Sequence, residues 1–123
     1  MKSVLKRADE VTRLLLFLKL KNLKLRKLNI ANNDPNTGSF RIKGFFNKDS
    51  FIEIFEFLFD GKIMKYSYIY IESNQNILRF DNAPHFKKMK TFPHHKHLKK
   101  KVLPLDNYKL TEFINEIKDI LKL

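Results

Sequence analysis

The sequence lacks cysteine and tryptophan altogether among its 123 residues. Without cysteine the chain forms no disulfide, holds no thiolate metal site and offers no cysteine nucleophile. The same absence fits a reducing compartment, where disulfides rarely persist. Disulfide frameworks, zinc-thiolate sites and cysteine-dependent enzymes are therefore excluded.

Glycine is also scarce, and this excludes further chemistry. The three glycines, Gly38, Gly44 and Gly61, fall at predicted turns or within a predicted strand, so the chain has no glycine-rich phosphate loop. No serine, histidine and aspartate are spaced as in a hydrolase triad. Glu53 and Glu56 have opposite parity in a predicted strand, which argues against a pair of catalytic carboxylates.

Long apolar runs are missing as well. The longest near the start, VTRLLLFLKL, is too short and too interrupted by charge to span a bilayer or to direct secretion. We therefore expect a cytoplasmic protein that does not insert into a membrane. Hydrophobic residues make up 43% of the chain, enough for a core, and the length suits a single domain over residues 1–123.

Acidic residues are few, and the positive charge is unevenly placed. Lysine and arginine number 25 against 13 aspartate and glutamate, which gives a net charge of +12. Residues 1–32 and residues 82–105 each contribute +7, whereas the other two segments are nearly neutral. Two basic blocks predict a polyanionic partner, either nucleic acid or an acidic protein. The competing interpretation is a lysine-rich but functionally neutral surface.

The hydrophobic periodicity predicts an α+β fold. Apolar residues recur at helical spacing near both ends of the chain, in the first case at Val4, Val11, Leu15 and Leu18, with Ser3 as the N-cap. From residue 39 to residue 81 the period is two, and Asp60-Gly61 is a hairpin signal. The short connections predict an antiparallel β-meander of about four strands with an N-terminal and a C-terminal helix packed on it.

Several other stretches have weaker sequence patterns. LKLRKLNIA predicts either a short strand or a helix end, and NNDPNTG predicts a loop. Three prolines are expected to prevent regular structure between residues 82 and 107. We expect a set of six phenylalanines to form core rather than to stack bases: Phe45, Phe46, Phe51, Phe55, Phe57 and Phe59. Tyr66, Tyr68 and Tyr70 share one strand face, which either stacks bases or lies under a helix.

All four histidines fall in one stretch, RFDNAPHFKKMKTFPHHKH, which spans residues 79–97. Arg79 and Asp81 have the same parity and should leave the sheet on one face. His95 and His97 share a face if their segment is extended. Because prolines stiffen the chain before His85 and before His94, we expect these imidazoles to lie together.

Three interpretations of this cluster compete. Paired imidazoles supply a base and an acid near neutral pH, as metal-free RNA cleavage requires. Imidazole also suits zinc, with Asp81 as a carboxylate ligand, but the spacing matches no common zinc motif, so we expect no metal and no other cofactor. The third interpretation is a structural loop with solvated lysines.

The first interpretation assigns roles to particular residues. The acid–base candidates are His85, His94, His95 and His97, with Arg79 and Lys96 on phosphate and Asp81 and Asn82 orienting a histidine or the substrate. Further RNA contacts are expected from Lys87, Lys88, Lys90, Lys99, Lys100 and Lys101. Nucleotidyl transfer ranks lower, because no carboxylate cluster could hold a metal–triphosphate complex.

The histidine stretch resembles the TumE family, toxins of type II toxin–antitoxin pairs. That family has an aromatic YSY strand, a strand ending in R-(Y/F)-D-N-A-P-H, and then T-x-P-H-H-K-H; the corresponding segments here begin at Tyr66, Arg79 and Thr91. The resemblance covers residues 36 to 121. The chain departs from the family pattern at Phe86, where a second histidine is common, and in a more basic insert, Lys87-Lys88-Met89-Lys90.

The resemblance implies a basic toxin bound by an antitoxin, often one with a helix-turn-helix. Combined with the histidine cluster, it leads us to expect a toxin acting on RNA as a metal-independent endoribonuclease. The alternative is a non-catalytic module that binds RNA or protein and whose histidines are structural. We expect an acidic antitoxin, and either a homodimer or a toxin–antitoxin hetero-oligomer.

Overall fold

The structure is a computed structural model that describes residues 2–17, 22–106 and 109–122. One helix, α1 (Val4–Phe17), precedes the sheet, and a second, α2 (Leu110–Leu121), follows it. The strands in chain order are Lys24–Asp34 (β1), Thr37–Asn47 (β2), Ser50–Phe59 (β3), Lys62–Glu72 (β4), Gln75–Asp81 (β5), His95–Leu98 (β6) and Lys101–Pro104 (β7). They form one antiparallel sheet in the order β1 to β7. The predicted α+β meander with terminal helices is confirmed.

The predicted number of strands is wrong, because the described sheet has seven rather than about four. The expected loop NNDPNTG is mostly strand. β1 runs to Asp34 and β2 restarts at Thr37, leaving a turn in which Asn36 N–H donates to Asp34 Oδ1 at 2.8 Å. Gly38 permits this hairpin, because a Cβ there would come within 2.6 Å of Asn32.

The prolines after residue 81 border strands instead of preventing them. Pro93 lies before β6, and Pro104 closes β7, the last strand of the sheet. An edge strand tolerates proline because one side of its backbone has no strand to donate to. The two residues between β6 and β7 turn sharply, with Lys99 at φ 55°. The histidine motif therefore includes a strand of its own.

The sheet has one face covered by the helices, here called the helix face. Its core combines four apolar residues of each helix with alternate residues of the strands. The helices contribute Val4, Ala8, Val11, Leu15, Leu110, Phe113, Ile114 and Ile117. Tyr66, Tyr68 and Tyr70 lie under them, at most 3% exposed, which decides between the two interpretations of these rings. Leu18 lies outside the described residues.

The opposite face, here called the open face, carries five of the six phenylalanines expected in the core, all except Phe46. That expectation is wrong: none of the six is in the buried core. Strand alternation places Phe51, Phe55 and Phe57 on the side of β3 opposite to buried Ile52 and Ile54. Phe46 packs against the core edge near Tyr70, and Phe59 is exposed. Neither described helix is long and apolar enough to cross a membrane.

Candidate active site

The register of β5 and β6 brings the motif residues together on the open face. Asp81 pairs with His95, and Arg79 pairs with His97. Residues paired across antiparallel strands point to the same face, so these four side chains form one group. The predicted common face of Arg79 and Asp81, and that of His95 and His97, are both confirmed. We call these four residues the open-face cluster.

His95 is the most deeply buried member of the cluster, with its side chain 1% exposed. Its Nδ1 lies 3.0 Å from the carbonyl oxygen of Pro93, which can only accept a hydrogen bond. Its Nε2 lies 2.9 Å from Asp81 Oδ1, but the approach is not aligned for a hydrogen bond. The imidazole is thus oriented by backbone on one side and by a carboxylate on the other.

Asp81 connects the cluster. It is almost fully buried, and its two oxygens receive different donors. Arg79 Nε donates to Oδ2 at 2.8 Å, and the Ala83 backbone N–H donates to Oδ1 at 2.9 Å. The backbone contact closes a short turn immediately after β5. A carboxylate held this way has a fixed orientation toward both histidines.

His97 is the solvent-facing histidine of the cluster, with 34% of its side chain exposed. Its Nε2 lies 3.7 Å from Asp81 Oδ2, and its ring lies 4.9 Å from that of His95. Burial lowers the pKa of His97 below its usual 6.5; Asp81 opposes this, whereas the charges of His95, Arg79 and His85 add to it. His97 therefore favours the neutral form, which can accept a proton.

Phe86 organises the histidines, a role that the sequence did not reveal. Its ring centroid lies 4.8 Å from that of His95, 6.1 Å from that of His97 and 6.4 Å from that of His85, each in an edge-to-face arrangement. His85 itself is exposed at the mouth of the cluster. The only signal was the position of Phe86 directly after the first motif.

Two motif residues point instead to the helix face. His94 stacks on Tyr66, with Nδ1 and the tyrosine oxygen 2.8 Å apart, and burial and then the charge of His95 lower its pKa. Lys96 donates to Glu116 of α2 at 2.9 Å and lies over the Phe80 ring. The structure therefore does not bring His94 and Lys96 into the open-face cluster.

The remaining predicted contacts divide in the same way. Asn82 is engaged with β4: its amide donates to Met64 O at 2.9 Å, and its side-chain oxygen accepts from Tyr66 N–H at 3.1 Å. Six lysines are exposed around the motif: Lys87, Lys88, Lys90, Lys99, Lys100 and Lys101.

Two hollows lie on either side of Arg79. One, of about 260 Å³, is lined in part by Phe55, Ser67 and Asp81. The other, of about 180 Å³, is lined in part by His97 and Lys99. Ser67 also lines the first hollow, and its buried Oγ has no hydrogen-bond partner within the described ranges.

The chemistry available here is proton transfer, phosphate contact and metal binding. His97 and His85 are accessible imidazoles, Arg79 and Lys99 are cations, and ligand atoms of Asp81, His95 and His97 lie within 4.8 Å of one another.

Fold and site together define a small basic α+β protein with a histidine–aspartate cluster on an uncovered sheet face. The family model for the toxin TumE matches residues 14–123, which is nearly the whole chain. The chain therefore belongs to the TumE family of toxins. No curated protein and no solved structure matches it.

Proposed function

We propose that this toxin acts on RNA as a metal-independent endoribonuclease. The observation that carries the proposal is the open-face cluster, in which half-exposed His97 lies beside a buried His95–Asp81 pair and a guanidinium. The site joins a proton acceptor to a cation in the most basic part of the chain. Cleavage of RNA at its own 2′-hydroxyl requires these groups and a proton donor.

The roles follow from exposure and charge. His97 Nε2 takes the proton of the 2′-hydroxyl, and the 2′-oxygen then attacks the adjacent phosphorus. The bond from phosphorus to the 5′-oxygen breaks, and His85, as its imidazolium, protonates that oxygen. The products are a 2′,3′-cyclic phosphate and a 5′-hydroxyl end. Buried His95 and Asp81 act as positioning residues, while Arg79 and Lys99 stabilise the phosphate in the transition state.

The open face offers a surface for the rest of the RNA strand. Arg41 lies over the Phe55 ring at 4.7 Å, and Lys43 lies over the Phe51 ring at 4.0 Å. Aromatic rings next to cations bind single-stranded nucleic acid through base stacking and phosphate contacts. The exposed lysines between Lys87 and Lys101 add positive charge in the chain segments next to the cluster residues.

A toxin implies a cognate antitoxin, and the charge of this chain suggests what kind. Residues 82–105 carry seven lysines and no acidic residue, and they include all four histidines. An acidic antitoxin segment over this region would neutralise charge and cover the cluster together. The proposed assembly is a toxin–antitoxin hetero-oligomer, with a helix-turn-helix in the antitoxin; the alternative is a homodimer of the toxin.

The direct test is to incubate purified, untagged protein with cellular RNA in excess EDTA and to analyse the ends. We expect fragments with 2′,3′-cyclic phosphate and 5′-hydroxyl ends. The matched control is His94→Gln, prepared identically, because it removes a histidine of the same motif on the other face of the sheet. If no cleavage occurs with or without divalent metals while the protein still arrests growth, the nuclease proposal is wrong and a non-catalytic binding module is favoured.

A further inference from the structure

The hydrogen bonding of His95 presents a problem in the metal-free cluster. Because the Pro93 carbonyl only accepts, the hydrogen of a neutral His95 lies on Nδ1. The lone pair on Nε2 then faces Asp81 Oδ1 across 2.9 Å, so two acceptors oppose each other in a buried place. A proton on Nε2 would relieve this, yet the geometry is not aligned for such a hydrogen bond. A cation between the two atoms relieves it without that alignment.

A third ligand atom lies close by. His97 Nε2 is 3.7 Å from Asp81 Oδ2, and the ligand atoms of all three residues lie within 4.8 Å of one another. A tetrahedral zinc ion with bonds near 2.0 to 2.1 Å holds its nitrogen and oxygen ligands about 3.3 Å apart. The two separations from Asp81, 2.9 Å to His95 and 3.7 Å to His97, lie on either side of that spacing.

The groups behind these ligands also have the pattern of a metal site. Ligating histidines commonly donate their second ring N–H to a backbone carbonyl, as His95 does to Pro93. Ligating carboxylates are themselves hydrogen-bonded, as Asp81 is by Arg79 and by Ala83 N–H. The orientation of two of the three ligands is thus set before any ion arrives.

We propose that Asp81, His95 and His97 bind one divalent transition-metal ion of the zinc class. Two imidazole nitrogens and one carboxylate suit zinc, cobalt or nickel and disfavour magnesium, which prefers oxygen ligands. An ion on His97 Nε2 occupies the atom that would accept the 2′-hydroxyl proton. Binding therefore inhibits RNA cleavage, a consequence that rests on the proposed function.

The metal site is tested with cobalt, whose visible spectrum reports tetrahedral coordination independently of activity. Untagged protein stripped with chelator is titrated with Co²⁺, which is then displaced with Zn²⁺. We expect one ion per chain. His97→Ala and Asp81→Asn should each weaken binding by at least about 100-fold, the upper end of the cost of losing an outer-shell partner. His94→Gln should bind as the wild type does, because its ring lies on the helix face.

The outcomes separate this proposal from the nuclease proposal. No tetrahedral cobalt spectrum, or undiminished binding by folded His97→Ala, overturns the metal site whether or not RNA is cut. Metal binding by a protein that never cleaves RNA leaves the site standing and removes the proposed function. In the active protein, Zn²⁺ should suppress cleavage at one ion per chain and EDTA should restore it. Faster cleavage with Zn²⁺ overturns the inhibitory role.

Discussion

Asp81 contacts each of the other three residues of the open-face cluster. It accepts from Arg79 and from the Ala83 backbone, and it lies against both His95 and His97. Because it is almost fully buried, its charge is compensated only by these neighbours. At the residue scale, the account therefore predicts that this carboxylate contributes to both stability and chemistry.

Replacing Asp81 by asparagine should lower the free energy of unfolding by about 1.5–3 kcal/mol, the usual contribution of a hydrogen bond to a charged group. Chemical denaturation of metal-free protein measures this. The matched control is Asp119→Asn, at an exposed position of α2, which should change stability by less than about 0.5 kcal/mol. Equal losses in the free energy of unfolding would show that Asp81 contributes no more to stability than an exposed aspartate does.

His94 should make stability depend on pH. Its pKa is lowered in the folded state, so above about pH 6.5 the imidazole is neutral in both states and contributes no pH dependence. Below that, the unfolded chain binds a proton that the folded chain does not, and stability falls toward the lowered pKa. Unfolding in EDTA at about pH 7.5 and about pH 5.5 should show a smaller loss for His94→Gln than for wild type. Equal losses would contradict the shift.

At the element scale, α1 is fixed to the sheet by a buried ion pair. Arg7 donates from Nε and from a terminal nitrogen to the two oxygens of Glu56, at 2.7 and 2.8 Å, and Tyr68 donates to the same carboxylate at 2.6 Å. Burial opposes the charge of Arg7, but hydrogen bonding and charge from Glu56 outweigh it and raise the pKa of the guanidinium. This contact fixes the position of α1 on β3 and β4.

Removing the guanidinium should be costly, since Glu56 is fully buried and would lose its compensating charge. Arg7→Ala should destabilise the fold by about 3–5 kcal/mol in denaturant melts. Arg13→Ala, which removes an exposed arginine paired with Asp9, should cost less than about 1 kcal/mol. Adding Glu56→Gln to Arg7→Ala should recover part of the loss. An additive double variant would show that the two groups are not coupled.

The elements differ in how well the sequence predicted them. β2 to β5 are rich in β-branched and aromatic residues and lie between clear turns, so the sequence was sufficient to predict them. β6 has only four residues, three of them basic, so no apolar pattern marks it. It forms because β5 and β7 pair with it, and such long-range pairing leaves no local signal.

The candidate site was predicted in part for the same reason. Parity along single strands correctly placed Arg79 with Asp81 and His95 with His97. Parity also predicts that Lys96 points with His94, away from His95 and His97. The pairing of β5 with β6 was not available from the sequence, so His94 and Lys96 were still assigned to the site. The contacts of Phe86 depend on loop packing, and the position of Ser67 opposite Asp81 depends on cross-strand register. Only the structure provides both.

At the scale of the whole molecule, one of the two basic blocks, residues 82–105 with a net charge of +7, contains most of the candidate site. Lys87, Lys88, Lys90 and the run from Lys99 to Lys101 are exposed, whereas Lys96 is paired with Glu116. If the antitoxin is acidic, as proposed above, the field of these lysines would steer it to this region and raise association rates by roughly 10 to 10³.

Replacing the six exposed lysines by glutamine should slow antitoxin association strongly at low salt and change dissociation less. Stopped-flow or surface binding kinetics at several salt concentrations measure both rates. As a control, Lys48, Lys62 and Lys122 are neutralised; they are exposed outside residues 82–105, so this variant shows the effect of a lower net charge alone. Association unaffected by the six replacements would show that the antitoxin docks on another surface, such as the basic N-terminal region.

The central claim is that His97 transfers a proton during RNA cleavage. The most direct measurement is the single-turnover rate of RNA cleavage in EDTA for His97→Gln and for His94→Gln, each shown to be folded by its thermal melt. We expect His97→Gln to lower the rate by about 10² to 10⁴-fold, the usual contribution of a general base, and His94→Gln to cleave at nearly the wild-type rate. Equal rates in the two variants would contradict it.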